Sequence, residues 1–323
     1  MRQDAAAPDR TSVEDAIRLL GGTNDEVFAG IAMIDAAAAR GDAVALERQA
    51  LLEAVGCARP QDWDRALDCL MEAAQRGSEA ARGQMLVLAG AASPGVHEQP
   101  DWKALRAEIS IGRLIQAPPK IAVSDSPRLR MIEGFASPAE CKWVIDRACT
   151  RLRPATVVNL SGSMAVGAVR TNSMVEHLLP DMDLVIEAIR ARVSAATRLP
   201  LPLFEASQAL HYAPGQEFRP HHDYFDPTLP GHAGELEQLG QRIATFLIWL
   251  NDGYTGGETA FPRAQLSFRG KTGDALFIAN VDRSRRPDPS TLHAGRPPLS
   301  GEKWIFSQWI RDKAPSAPPP AHS

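Results

Sequence analysis

The chain changes texture partway along, and that change limits its fold more than any single residue does. From residue 13 to about 115 it is alanine-rich and carries helical spacing. After Pro200 the apolar runs become short, aromatic and β-branched, with Gly, Pro and Asn between them. Long alanine-rich stretches form helices, whereas short punctuated runs form antiparallel sheets. The two textures predict an α+β chain: a small α-helical domain followed by a sandwich or barrel of antiparallel strands.

The helical half repeats itself. Ala36-Ala37-Ala38-Ala39-Arg40-Gly41 recurs as Glu72-Ala73-Ala74-Gln75-Arg76-Gly77, and Asp62-Trp63 recurs as Asp101-Trp102. A period of this size marks stacked helical hairpins. Small residues let helices approach closely, and each Gly ends a helix in a left-handed conformation. Residues 13–115 resemble Sel1-like repeats, which are related to tetratricopeptide repeats. That resemblance implies a concave surface for a protein partner.

Residues 116–125 are expected as a linker, or as a strand leading into the next domain, since 116–127 carry three prolines and no helical period. A strand is expected over Arg128–Phe135. Ser137-Pro138-Ala139-Glu140 then reads as a helix start, with Ser as cap, Pro in the first turn and Glu three residues on. A second helix is expected over Asp181–Ala196. Strands are expected at 205–212, 218–224, 242–250, 266–269, 274–279 and 303–310. The second domain spans 126–312, and the proline-rich residues 313–323 are expected to be a disordered tail.

Composition narrows the function. A net charge of -4 and a pI near 6.1 argue against a nucleic-acid-binding face, which needs a basic surface. The four-residue run from Arg283 to Arg286 reads as a solvated loop. No apolar stretch is long enough to span a bilayer, and the first residues lack the apolar core of a secretory signal. Cys57, Cys69, Cys141 and Cys149 are few and lack a CxxC pattern, so they are expected as reduced thiols in a cytoplasmic protein.

The chemistry is carried by His221-His222-Asp223, by His293 far downstream, and by Lys303 beyond it. Two imidazoles and one carboxylate are the ligand set of a mononuclear iron(II) oxygenase. Three protein ligands also describe catalytic zinc. In a strand, residues i and i+2 share a face, so His221 and Asp223 can grip one ion while His222 points away. Lys303 separates the two metals. A lysine within the β-prone run Trp304 to Ile310 is costly if buried unpaired, and a bound carboxylate would supply its partner. Hydrolytic zinc needs no such cation. The Tyr212 phenol is a candidate for the same carboxylate.

These stretches together resemble the catalytic domain of the prolyl 4-hydroxylases, within the iron(II)/2-oxoglutarate dioxygenases. The likeness runs through VRTNS at 169–173, YAPGQEFRPHHDYF at 212–225, RIATFLIWLND at 242–252, GGETAFP at 256–262, GDALFIAN at 273–280, TLH at 291–293 and GEKWIFSQWI at 301–310. It implies a double-stranded β-helix, or jelly roll. It puts iron on His221, Asp223 and His293, and the distal carboxylate of 2-oxoglutarate on Lys303 and Tyr212. It implies hydroxylation of a C–H bond, foremost of a prolyl residue in a peptide or protein, with release of succinate and CO2 and with L-ascorbate as a further cofactor. Arg170, Phe218 and Arg242 are the candidate substrate residues. The family commonly has a tyrosine where Phe218 stands. Two alternatives are a hydroxylase of a free amino acid or small metabolite, and an interaction protein built on an inactive oxygenase fold. The intact ligand set and lysine argue against the latter.

Overall fold

The computed structural model describes residues 10–91, 100–155, 157–158, 164–165 and 169–314. The expected tail from 315 onward lies outside the described residues. Among these residues, contacts group the chain into two compact units. Residues up to Ile115 join with Leu178–Arg190, and Gln116–His177 join with the chain from Ala191 onward.

The first unit is helical. Its helices run Arg10–Leu19, Asn24–Ala39, Ala43–Val55, Trp63–Gln75, Glu79–Ala89, Trp102–Glu108 and Ile111–Ile115. The sequence recurrences prove to be the same local structures. Arg40 and Arg76 close their helices, Gly41 and Gly77 take positive φ (82° and 98°), and Asp42 and Ser78 cap the helices that follow. The two Asp-Trp pairs are likewise matching starts, where Asp62 and Asp101 accept backbone N–H groups of the first turn. Ile34, Leu51, Leu52, Leu67, Leu70 and Met85 fill the core between alanine-lined faces. A buried polar group ties residues 180–184 to these helices. Arg48 Nη1 donates to the carbonyls of Pro180 (3.2 Å) and Met182 (2.9 Å), and Gln84 Oε1 accepts the Leu184 N–H at 2.9 Å.

The second unit is a jelly roll, as the α+β expectation required. An eight-stranded antiparallel sheet runs in the spatial order Ile121–Asp125, Arg128–Ile132, Ala275–Ala279, Arg242–Trp249, Lys303–Arg311, Ser207–Tyr212, Ser173–His177, Arg153–Pro154. A four-stranded sheet runs Leu266–Phe268, Thr259–Phe261, His293–Gly295, Phe218–His221. Leu210, Leu247, Leu276 and Ile305 of the large sheet share one buried cluster with Phe218 and Phe261 of the small one. On the opposite face of the large sheet, Phe246 packs against Phe135 with centroids 4.8 Å apart, beside the helix Pro138–Ala148. That helix starts with the full capping box read from Ser137 and Glu140.

Several boundaries move for local reasons. The strand expected to reach Phe135 stops at Ile132, because Gly134 turns the chain at φ 59°. Ile121–Asp125 forms an edge strand paired to Arg128–Ile132 rather than a bare linker. The helix expected from Asp181 is preceded by a 3₁₀ turn, Leu179–Asp181, and runs Leu184–Thr197. The strand expected over 218–224 ends at His221. A short helix, Ala233–Leu239, and the strand Ser173–His177 were not expected at all.

Candidate metal and co-substrate site

Strand pairing assembles the site. His221 closes one strand of the small sheet and His293 opens its neighbour, and the antiparallel register sets them directly opposite each other. Their ring centroids lie 4.4 Å apart. Asp223 comes from the turn after His221, so a bend in the backbone, not strand alternation, delivers the carboxylate. His221 Nε2 stands 3.6 Å from Asp223 Oδ1, and His293 Nε2 stands 3.5 Å from Oδ2. One donor atom from each of the three residues falls within 4.8 Å of the others. That spread suits a single ion with bonds of about 2.0–2.2 Å.

The tautomers suit a metal as well. His221 Nδ1 faces the Arg219 carbonyl at 2.8 Å, and His293 Nδ1 faces the Thr291 carbonyl at 3.0 Å. A carbonyl only accepts, so each Nδ1 carries the proton and each Nε2 turns its lone pair towards Asp223. Burial pushes the His293 pKa down to about 4, which keeps that ring neutral. Burial acts to raise the Asp223 pKa, but His293, His221 and the Thr245 hydroxyl outweigh it and hold the carboxyl well below its usual range. His222 points elsewhere: its Nε2 meets the Pro289 carbonyl at 3.2 Å, and its ring stacks on Tyr224.

The two co-substrate candidates also meet across strands. Lys303 opens the last strand and pairs directly with Tyr212. Its Nζ sits 4.9 Å from the Tyr212 ring centroid, and only 1% of the residue is exposed. Among the described residues the Lys303 ammonium makes no hydrogen bond and no ion pair. Burial pushes its pKa down to about 7, against the opposing pull of the Glu258 charge. Burial likewise pushes the Tyr212 phenol up to about 12. One cavity is lined by His221, Asp223, His293, Tyr212, Thr259 and Lys303.

The candidate substrate residues separate into two groups. Phe218 stacks flat on His221, with centroids 3.4 Å apart and planes 10° apart, and the Arg170 guanidinium lies over its other face at 4.7 Å. Both therefore adjoin the ligand set. Arg242 sits farther along the groove. It donates to Glu205 at 2.6 and 2.8 Å and lies 3.7 Å over the Trp309 ring.

Sequence reasoning missed Thr245, Asn280 and Thr259. The Thr245 hydroxyl donates to Asp223 Oδ2 at 2.6 Å, and Asn280 Nδ2 donates to the Thr245 hydroxyl at 2.9 Å. A signal was available: Thr245 interrupts the apolar run Ile243 to Trp249, and Asn280 ends the run Ala275 to Ala279. Polar groups on such strands need buried partners.

A jelly roll that sets two histidines and an aspartate around one point, with a buried lysine in the same cavity, has the design of a 2-oxoglutarate/iron(II) oxygenase. Residues 207–311 match the family described as the 2OG-Fe(II) oxygenase superfamily. The chain is 36% identical over 213 residues to prolyl 4-hydroxylase 1 of Arabidopsis thaliana, covering 60% of this chain and 72% of that protein. It is 36% identical over 208 residues to prolyl 4-hydroxylase 5 of the same plant, covering 58% and 69%. Among solved structures, the viral collagen prolyl hydroxylase vCPH of Paramecium Bursaria Chlorella virus-1 in its 2OG complex aligns at 29% identity and a TM-score of 0.45, over 58% of this chain and 98% of that one. The chain belongs to the prolyl 4-hydroxylase family of 2-oxoglutarate/iron(II) dioxygenases. Iron(II) and 2-oxoglutarate are accordingly its metal and co-substrate. The superfamily match leaves the N-terminal helices outside it. No helix among the described residues is long and apolar enough to cross a membrane.

Proposed function

We propose that this oxygenase hydroxylates a prolyl residue within a peptide or protein, with release of succinate and CO2 and with L-ascorbate as a supporting reductant. The observation that carries the reading is the sharing of one cavity by the His221–Asp223–His293 cluster and the buried Lys303. Iron and its co-substrate, when bound, supply the oxidising power for an unactivated C–H bond. The chain's own residues bind, orient and exclude water. His221, Asp223 and His293 would hold the ion. Lys303 meets the distal carboxylate of 2-oxoglutarate, and Tyr212 donates to it. The Phe218 ring walls the ligand set beside Arg170, and Arg242 with Trp309 lines the groove that leads away.

The groove favours a polymeric substrate. It continues past His221 and Phe218 to Phe225, Arg242 and Trp309, a mostly apolar lining that a free amino acid does not need. We further propose that the helices of residues 13–115 are Sel1-like repeats that dock the substrate or its carrier, a reading supported by their matching caps and turns. The four free thiols support a cytoplasmic setting. The acidic balance of the chain speaks against nucleic acid as a partner.

Succinate release with proline-rich peptides against free proline tests the substrate. Stimulation by peptides is expected, and stimulation by small molecules alone would transfer the assignment to a metabolite hydroxylase. For the site itself, His221→Ala should abolish specific iron(II) binding under anaerobic loading. Equal metal content in variant and wild type would remove the ligand assignment.

A further inference from the structure

The metal cluster is held from behind by a chain of two side chains that are not themselves candidate ligands: Thr245 bonds to Asp223, and Asn280 bonds to Thr245. Thr245 lies on the large sheet and pairs with Ile278 across strands, and Asn280 directly follows the strand that holds Ile278. Thr245 and Ile278 therefore share a face of the sheet, and the Asn280 amide reaches the Thr245 hydroxyl at 2.9 Å. Asn280 is 0% exposed and Thr245 1%. The Asn280 backbone is fixed at both ends of its peptide: its N–H donates to the Ile243 carbonyl at 2.9 Å, and its carbonyl accepts from Asp288 at 3.0 Å.

The chain has a direction. The Thr245 hydroxyl donates to Asp223 Oδ2 at 2.6 Å, which uses its one proton. The hydroxyl is then left with acceptor capacity alone, and the Asn280 group facing it must be the NH2. This fixes the amide orientation, and it leaves Asn280 Oδ1 without a hydrogen-bond partner among the described residues. A buried amide that gives up one of its own bonds to hold a hydroxyl in one orientation has a use for that orientation.

We propose that Asn280 and Thr245 are positioning residues that hold Asp223 as a one-oxygen ligand. The Thr245 hydrogen bond falls on Oδ2, which stands 3.5 Å from His293 Nε2, and leaves Oδ1, 3.6 Å from His221 Nε2, to the ion. A carboxylate free to rotate can present both oxygens and take a position that the co-substrate or oxygen requires. The relay prevents this rotation. It rests on the ligand assignment above and adds to it the agent that sets the ligand's geometry.

Cobalt(II) titrated into the full chain, without co-substrate, is the probe, read by dissociation constant and by the visible absorption of the bound ion. Thr245→Val keeps the shape and loses the hydroxyl. It is expected to weaken cobalt by about 10–100-fold and to change the absorption. Thr245→Ser keeps the donor and should restore both. Asn280→Leu should weaken cobalt in the same direction by a smaller factor. The double variant should be no weaker than Thr245→Val alone, because Asn280 acts only through Thr245. Unchanged affinity and spectrum in Thr245→Val, failure of Thr245→Ser to restore them, or additive losses in the double variant would each overturn the relay. If Thr245→Val does not fold, Asn280→Leu decides by the same two readouts. Wild type that binds no cobalt would instead bring down the ligand assignment, and the relay with it.

Discussion

Arg48 in the helical unit and Lys303 in the jelly roll are both buried cations, and they are treated in opposite ways. Arg48 is surrounded by acceptors. Its Nη2 meets Glu47 at 3.1 Å, and its Nη1 reaches the Pro180 and Met182 carbonyls. Glu47 in turn accepts from Gln84 at 2.8 Å. Lys303, more deeply buried, has the face of a tyrosine and no acceptor among the described residues. Taking a charge out of water costs several kcal/mol, and only good partners offset it. Where the chain supplies those partners, as at Arg48, the cation holds the fold together. Where it does not, as at Lys303, the cost falls on folding, and under the proposed function a bound carboxylate would offset it. The residue types suit the two tasks. A planar guanidinium can satisfy several fixed acceptors at once, whereas a compact ammonium is a point charge whose pKa moves readily on burial.

The largest effect expected from breaking this contrast is at Arg48. Arg48→Ala leaves Glu47 buried without its cation and should destabilise the full chain by about 3–5 kcal/mol in urea unfolding. Affinity for 2-oxoglutarate in the protein that remains folded should not change. A loss below about 1 kcal/mol would place Arg48 with ordinary surface cations.

Lys303→Met should do the reverse. Stability should hold or rise, because an unpaired buried charge is replaced by an apolar chain of similar length. Affinity for 2-oxoglutarate should fall by about 1.5–3 kcal/mol, the usual worth of a charge-assisted hydrogen bond. Calorimetric titration with and without the co-substrate measures both halves. A destabilised variant with normal co-substrate affinity would make Lys303 a structural cation like Arg48.

The pH dependence follows from the same burial. The folded-state pKa of Lys303 is pushed down to about 7, below the ordinary lysine value that the unfolded chain recovers. Between those two values the unfolded state binds more protons, so its contribution to stability rises with pH across that window and is level below it. Co-substrate binding runs the other way. The carboxylate wants the ammonium, so affinity should fall by up to about tenfold per pH unit above 7. Lys303→Met should flatten both profiles. Matching profiles in variant and wild type would assign the pH dependence to another group.

The smallest effect is expected where a cation pairs with carboxylates that are exposed to solvent. Arg106 bridges Asp64 and Asp68, both largely exposed, and Arg106→Ala should cost under about 1 kcal/mol, and less in high salt. A salt-independent loss of several kcal/mol would show that pairing, rather than burial, sets these energies.

Much of this molecule was legible because its signals are local. The Ser137–Glu140 capping box, the Arg-Gly turns and the Asp-Trp helix starts each depend on side chains reaching backbone a few residues away, and all formed as read. The His221–Asp223–His293 cluster was legible as a pattern of residue types, since few chemistries call for that set. Other features depend on what lies across a sheet. Nothing near His293 in sequence shows that it pairs opposite His221, or that Asp223 sits in a turn beyond the strand. Thr245 and Asn280 matter only because one sheet brings them behind Asp223. The grouping of Leu178–Arg190 with the helices depends on Arg48 and Gln84, which lie far upstream.

By itself, then, the sequence determined the two textures, the residues of the metal cluster and a lysine within a β-prone run, because short-range propensity and donor chemistry are properties of the residues themselves. Only the tertiary structure decided which histidine faces which, which tautomer each holds and what restrains the aspartate. It also separated Lys303 from Arg48, because burial and partnership are relations between distant parts of the chain.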